Sequence, residues 1–286
     1  IERCVGGAIM SGVYIRILTP DGLKPADYTA TSLADAGQYE PNDGIYTVTN
    51  TYNTFQTLKF DAHLDRMEDS ARRANIPLML ERARLKAALR GMIADAGMGD
   101  VRFRITVSRT QPEQFIITLE PYTPPAKTLV ENGARVMTVP NSARQEASAK
   151  TTDWMHQRKA ISAAMPEGVY DAILLDADGY LLEGLGANFY AIHAGELHTA
   201  ADGVLPGIAQ QIVFEIAPAI VPLKKQPVHQ ADIPALQEAF ITSSSRGIIP
   251  VVEIDDHLLG DGKPGPLTTQ LRAAYRAWVD DHLQDL

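Results

Sequence analysis

A single cysteine, Cys4, stands in a chain of 286 residues. One thiol excludes a disulfide framework within the chain and fits a reducing compartment, so a cytoplasmic location is expected. No apolar run approaches the roughly 18 residues that a membrane span requires. The opening Ile1-Glu2-Arg3-Cys4 contains no hydrophobic signal segment. Basic residues are in deficit as well: lysine and arginine total 26 against 35 acidic residues, a formal charge of −9. That balance argues against broad binding of nucleic acid or anionic membranes, and leaves room only for a local basic patch. Internal repeats and low-complexity tracts are absent. What is present suits a globular enzyme or binding protein. Apolar residues make up 45% of the chain, enough to bury a sizeable core without disulfides or metals, and no metal ligands are expected.

The length suggests one large or two modest domains. Residues 12–18 and 44–52 read as strands, the second rich in β-branched and aromatic side chains, with Phe55–Leu58 as a hairpin partner. Asp61 is a candidate helix cap ahead of Leu64, Met67, Ala71 and Ala74, and Pro77 ends that helix. A second helix is predicted from Glu81 to Ala96, closed by Gly97 and Gly99. Residues 101–109 alternate strictly, with Val101, Phe103, Ile105 and Val107 on one side and Arg102, Arg104, Thr106 and Ser108 on the other. Residues 114–120 supply the next strand. The first half is therefore α+β, a smaller N-terminal domain over 1–121. Residues 122–128 carry Pro124 and Pro125 and are expected to form a stiff, extended linker. A larger C-terminal domain of mixed α/β character is expected over 129–286, with helices near 152–164, 208–216 and 266–282 and strands between them.

The stretch from Lys150 to Asn188 holds the chemistry. Lys150 ends a loop and enters a helix, where a desolvated amine becomes a nucleophile towards an aldehyde. Lys159 is a rival, read as surface-exposed on the same helix. Glu183 enters the bend Gly184-Leu185-Gly186, and a buried carboxylate there can keep a pyridine nitrogen protonated. Two segments could hold an anion. Leu205-Pro206-Gly207-Ile208-Ala209 leads into a helix whose first N–H groups are free, and Thr242-Ser243-Ser244-Ser245 offers hydroxyls in a turn.

Taken together, these residues resemble the class IV aminotransferases, the fold-type IV pyridoxal-phosphate enzymes, over about Tyr39 to Val252. The arginine of the family's His-Leu-x-Arg segment is matched by His63-Leu64-Asp65-Arg66. The interval from Lys150 to Glu183 fits the family's lysine-to-glutamate spacing, for which Lys159 stands too close. The Glu-x-x-x-x-Asn pattern is matched by Glu183 to Asn188, and the phosphate-cup elements by Gly207-Ile208 and Ser243-Ser244. Leu185 stands where the family has a small residue. Ala209-Gln210 replaces the usual Thr-Arg, with the Ala209 backbone N–H retained.

The resemblance implies pyridoxal 5'-phosphate as cofactor. It implies Lys150 as the catalytic Schiff-base residue, with Arg66, Glu183, Asn188, Ile208, Ala209, Ser243 and Ser244 around the cofactor. It also implies a homodimer acting on a small amino donor and a 2-oxo acid acceptor. Tyr39 to Tyr46 resembles the Tyr-x-x-x-Asp-Gly-x-Tyr stretch of D-amino-acid aminotransferases, which leans the donor towards D-amino acids and makes Tyr46 a substrate residue. Branched-chain L-amino-acid and (R)-amine transaminases, 4-amino-4-deoxychorismate lyase and a non-catalytic binding protein of the same fold are the alternatives. An amino-acid substrate requires an arginine for its carboxylate. Arg104 is the first expectation and Arg109 the second.

Overall fold

The computed structural model describes residues 12–286, so the readings on Cys4 and the opening residues lie outside it. The chain begins with the hairpin β1 (Tyr14–Thr19) and β2 (Gly22–Pro25), followed by a single helical turn, α1 (Leu33–Ala36). Next come β3 (Ile45–Tyr52), β4 (Gln56–Leu58), α2 (Phe60–Arg73), α3 (Arg82–Ala96), β5 (Val101–Val107) and β6 (Phe115–Pro121). Alternation in β5 works as expected on one side: Val101, Phe103, Ile105 and Val107 are fully buried against Leu64, Met67, Leu89 and Met92 of the two helices. Arg104 and Thr106 on the opposite side are buried too, because a second layer covers them. Helix α2 starts at Phe60, so Asp61 is not its cap. That carboxylate lies in the first turn and pairs with Lys86 at 2.8 Å.

After β6, residues 122–126 cross to the second sheet, and Tyr122 donates its hydroxyl hydrogen to the Ser245 carbonyl at 2.8 Å. The expected extended linker is shorter than 122–128, since Lys127 already opens a helix, α4 (Lys127–Asn132). The prolines end at Pro125, and nothing after them prevents helical turns.

The second half contributes β7 (Ala134–Val139), α5 (Thr152–Ala164), β8 (Val169–Leu175), β9 (Leu181–Gly184), β10 (Asn188–His193) and β11 (Glu196–His198). It continues with α6 (Ile208–Ile216), β12 (Leu223–Lys224), β13 (Glu238–Ser243), β14 (Gly247–Ile254), β15 (His257–Leu258), α7 (Pro266–Asp281) and β16 (Leu283–Asp285). Two sheets result. The first is antiparallel throughout, in the order β16-β4-β3-β5-β6-β1-β2. The second mixes parallel and antiparallel pairs. Its path β10-β13-β14-β7-β8-β9 closes on itself where Asn188 pairs with Glu183, leaving a barrel-like core of Ile173, Leu175, Phe189 and Ile241. Helices α6 and α7 cover its outer face through Ile212, Val213, Leu271 and Tyr275. The fold is thus α+β and two-layered in its first part, mixed in its second, as expected. The last strand leaves the sheet of its own half: β16 joins the edge of the first sheet beside β4. No helix among the described residues is long and apolar enough to cross a membrane.

Candidate active site

Lys150 is fixed by its backbone. Its carbonyl accepts from the Tyr46 N–H at 3.0 Å, and its own N–H donates to Ser70 Oγ at 3.0 Å. The next residue, Thr151, caps α5, and Thr152 exchanges hydrogen bonds with Gly44: its N–H reaches the Gly44 carbonyl at 2.9 Å, and its Oγ1 accepts the Gly44 N–H at 2.8 Å. The lysine is therefore stitched to the start of β3 and the helix runs away from it. Its ammonium lies 4.7 Å from the centre of the Tyr46 ring.

Burial pushes the Lys150 amine down from 10.5 to about 8; Tyr46 opposes this, while the charges of Arg66, Arg158 and Arg144 add to it. Burial raises the Tyr46 phenol, but Lys150, Arg158, Arg104 and Arg144 together outweigh it and bring the group to about 8. The Tyr46 hydroxyl is buried without a hydrogen-bond partner. Since the neutral amine is the reactive form, acylation of Lys150 in cofactor-free protein should rise with pH around a midpoint near 8, where an exposed lysine is still protonated. Acetic anhydride labelling followed by peptide mass spectrometry measures this, and a midpoint near 10.5 would refute it.

Opposite the amine stands Glu183, buried at the end of β9. Its Oε1 accepts from Arg144 Nη1 at 3.1 Å, and its Oε2 accepts from the Leu205 N–H at 3.1 Å. Burial raises its carboxyl above the usual range, against the pull of Arg144 and of the Leu205 N–H. Arg144 had no sequence signal beyond lying in the loop before Lys150. It also donates to the Ala149 carbonyl at 2.7 Å and stacks over Trp154.

At the third corner, Arg66 projects from α2. Its polar partners among the described residues are the Pro206 carbonyl at 3.4 Å and His63 Nδ1 at 3.5 Å, neither of them anionic. Burial lowers its guanidinium to about 10. Pro206 leads directly into α6, whose cap residue Gly207 provides no side-chain bond for the first N–H groups at Ile208 and Ala209. A Cβ at Gly207 would collide with Asn188 Oδ1. The Asn188 amide donates to the Leu205 carbonyl at 2.9 Å, so this residue braces the helix start. Gln210 is buried and donates to the Ala200 carbonyl at 3.0 Å. Ser243 and Ser244, at the tip of the β13–β14 hairpin, face the same space.

These groups line one cavity of about 420 Å³ between the two sheets. Six arginines and two lysines line it against only Asp171 and Glu183, so the local basic patch permitted by an acidic chain lies here. Lys159 is exposed at its rim, whereas Lys150 is half-buried. Tyr46 and Arg104 lie on the wall. Arg109 does not: β5 stops at Val107, and Arg109 is exposed beyond it with its guanidinium near the Asn75 carbonyl. The expectation that it reads substrate is corrected on that ground. Arg104 needs correction of another kind, since its guanidinium is already paired with Glu40 at 2.5 Å, both side chains almost wholly buried. Among the described residues, no group of three or more His, Cys, Asp or Glu could hold a metal ion.

An amine, a buried carboxylate and an anion-ready helix start thus line one cavity. Residues 44–254 match the family model described as Amino-transferase class IV. The chain belongs to the class IV aminotransferases. Among curated relatives of this family member, branched-chain-amino-acid aminotransferase-like protein 1 of Arabidopsis thaliana is 24% identical over 91% of the chain. The chain spans about half (50%) of that relative's length. D-alanine aminotransferase of Bacillus licheniformis is 26% identical over 91% of the chain and 95% of its own length. Among solved structures, the branched-chain aminotransferase of the thermophilic archaeon Thermoproteus uzoniensis with norvaline superposes with a TM-score of 0.79. It covers 94% of this chain and 98% of its own, and at 22% identity it shows the shared fold.

Proposed function

We propose that this class IV family member holds pyridoxal 5'-phosphate in the cavity and moves an amino group between a small amino donor and a 2-oxo acid. One observation carries the reading: Arg66 is buried without a carboxylate partner beside the open N-terminus of α6, facing the Lys150 amine and the Glu183 carboxylate. A buried guanidinium without a counter-charge is costly, and a phosphate would supply that charge. The helix start adds free N–H groups and a favourable dipole end.

The residues present fit the group. Arg66, the N–H groups of Ile208 and Ala209, and the hydroxyls of Ser243 and Ser244 would hold the phosphate, while Glu183 would hold the proton on the pyridine nitrogen. When bound, the cofactor supplies an aldehyde for the amine and an electron-accepting ring. Lys150, half-neutral near pH 8, takes the proton from the substrate α-carbon and returns it on the far side of the transfer. Tyr46 offers its unpartnered hydroxyl to the substrate. Trp154 and Leu185 close the wall and keep water from the reacting carbon. On the strength of the family resemblance, the proposed working unit is a homodimer.

For the donor we favour D-amino acids. The Tyr39–Tyr46 stretch supports this, and a D-alanine aminotransferase matches over nearly its whole length. The pairing of Arg104 with Glu40 favours a second reading, a primary amine without a carboxylate. Reconstituted protein should turn yellow, and it should transaminate D-alanine faster than L-leucine or (R)-1-phenylethylamine. Protein that takes up no pyridoxal phosphate would sink the reading as a whole. Preference for L-leucine would overturn only the choice of donor.

A further inference from the structure

The alternation of β5 offers Arg104 to a substrate carboxylate, yet an internal carboxylate already occupies it. Glu40 Oε1 accepts from Arg104 Nε at 2.8 Å and Nη2 at 2.5 Å, and Oε2 accepts from Thr106 Oγ1 at 2.5 Å. The side chains of Arg104 and Glu40 are 6% and 0% exposed. An incoming carboxylate would have to displace a buried one that is fully satisfied and leave it without a partner, which is unfavourable.

The other cavity arginines can be separated by their partners. Arg102 faces Glu120 at 3.4 Å, Arg246 faces Asp171 at 3.9 Å, and Arg144 holds Glu183. Arg66 belongs to the proposed phosphate site. Arg158 remains. It sits two turns along α5 from Lys150, lines the cavity, and donates Nη1 to the Leu185 carbonyl at 2.9 Å. No carboxylate pairs with it among the described residues. Arg158, the Lys150 amine and Tyr46 line the same cavity, and the charge of Arg158 bears on both of the other groups. A guanidinium with donors to spare and a buried, unpartnered tyrosine hydroxyl form a donor set suited to one carboxylate.

Resting on the transaminase reading, we propose that Glu40 and Arg158 are specificity-determining residues: Glu40 withdraws Arg104 from substrate recognition, and Arg158, with the Tyr46 hydroxyl, receives the substrate carboxylate. Leu185 takes part indirectly, because its carbonyl orients the Arg158 fork.

The test uses the reconstituted holoenzyme and propionate, an unreactive carboxylate, with binding followed by Trp154 fluorescence and by calorimetry. Arg158→Leu should weaken propionate by roughly tenfold to a hundredfold, the worth of a charge-assisted hydrogen bond. It should raise KM for pyruvate in parallel. Arg158→Lys, which keeps the charge and loses the fork, should fall between the two. Glu40→Gln in the Arg158→Leu background should recover part of the binding, because it frees Arg104. Circular dichroism melts establish that each variant folds. Propionate binding within twofold of the parent in folded Arg158→Leu would overturn the proposal. So would a loss in Glu40→Gln alone as large as that in Arg158→Leu, since the Arg104–Glu40 pair would then be the reader. Failure of the parent protein to take up pyridoxal phosphate would count against the transaminase reading instead.

Discussion

Replacing Lys150 with alanine should lower kcat for transamination on the order of 10⁴-fold, the upper range for loss of a positioned general acid–base group. The proposed phosphate anchors at Arg66 and the α6 N-terminus do not involve this side chain, so the variant should still take up cofactor. Borohydride should no longer fix the cofactor to the protein, and intact-mass spectrometry reads that difference directly. Stability should hold or rise. The position is tied by backbone bonds to Tyr46 and Ser70, which alanine keeps, and the lost group is a cation among Arg66, Arg144 and Arg158. A folded Lys150→Ala protein that keeps a tenth of the activity would refute the assignment. The rival on the following helix α5, Lys159, is exposed at the rim, and its replacement serves as the comparison.

The second large effect is expected at Glu183. Glutamine preserves the shape and can still accept from the Leu205 N–H, but it cannot hold a proton on a pyridine nitrogen by charge. A loss of about 10²- to 10³-fold in kcat is expected, comparable to removing one preorganised electrostatic contact. The cofactor dissociation constant should change far less, because the proposed phosphate contacts are made by other groups: Arg66, the N–H groups at the start of α6, and Ser243 and Ser244. Arg144 loses its counter-charge in this variant, so the urea midpoint should be measured beside the rate. A double variant, Glu183→Gln with Arg144→Met, separates the two causes: the midpoint should recover and the rate should not. Recovery of rate would mean that Glu183 acts only by holding Arg144 in place.

Much of this site was legible where the signal is local or a matter of spacing. The Pro206-Gly207 helix start and the alternation of β5 lie within short windows and are decided by backbone geometry that nearby residues dictate. The Lys150-to-Glu183 interval is longer and was readable only through the family resemblance. What escaped depends on distant partners. Glu40 captures Arg104 across 64 residues, and nothing in the sequence around either residue announces the other. Arg144 lies in a loop without periodicity, and its orientation comes from Glu183 and Trp154, which reach it only in the folded chain. Arg109 was misplaced because strand alternation continues through Ser108. The strand itself ends where Ser108 Oγ turns back to accept from the Thr110 N–H at 3.0 Å. The helix α4 was hidden by the prolines just before it, which stiffen the chain only as far as Pro125.

The pairing of Leu283–Asp285 with Gln56–Leu58 carries a consequence for biosynthesis. On the ribosome the N-terminal part emerges first, and helices α2 and α3 can pack on their sheet at once. The outer edge of β4 must then wait, with unpaired N–H and C=O groups, until almost the whole of the remaining described chain has been made. So late a contact is slow to form by loop closure and gives a nascent protein an open template in the meantime. Mutations in β16 should therefore show themselves first in the yield of soluble protein and only secondarily in the properties of molecules that have finished folding.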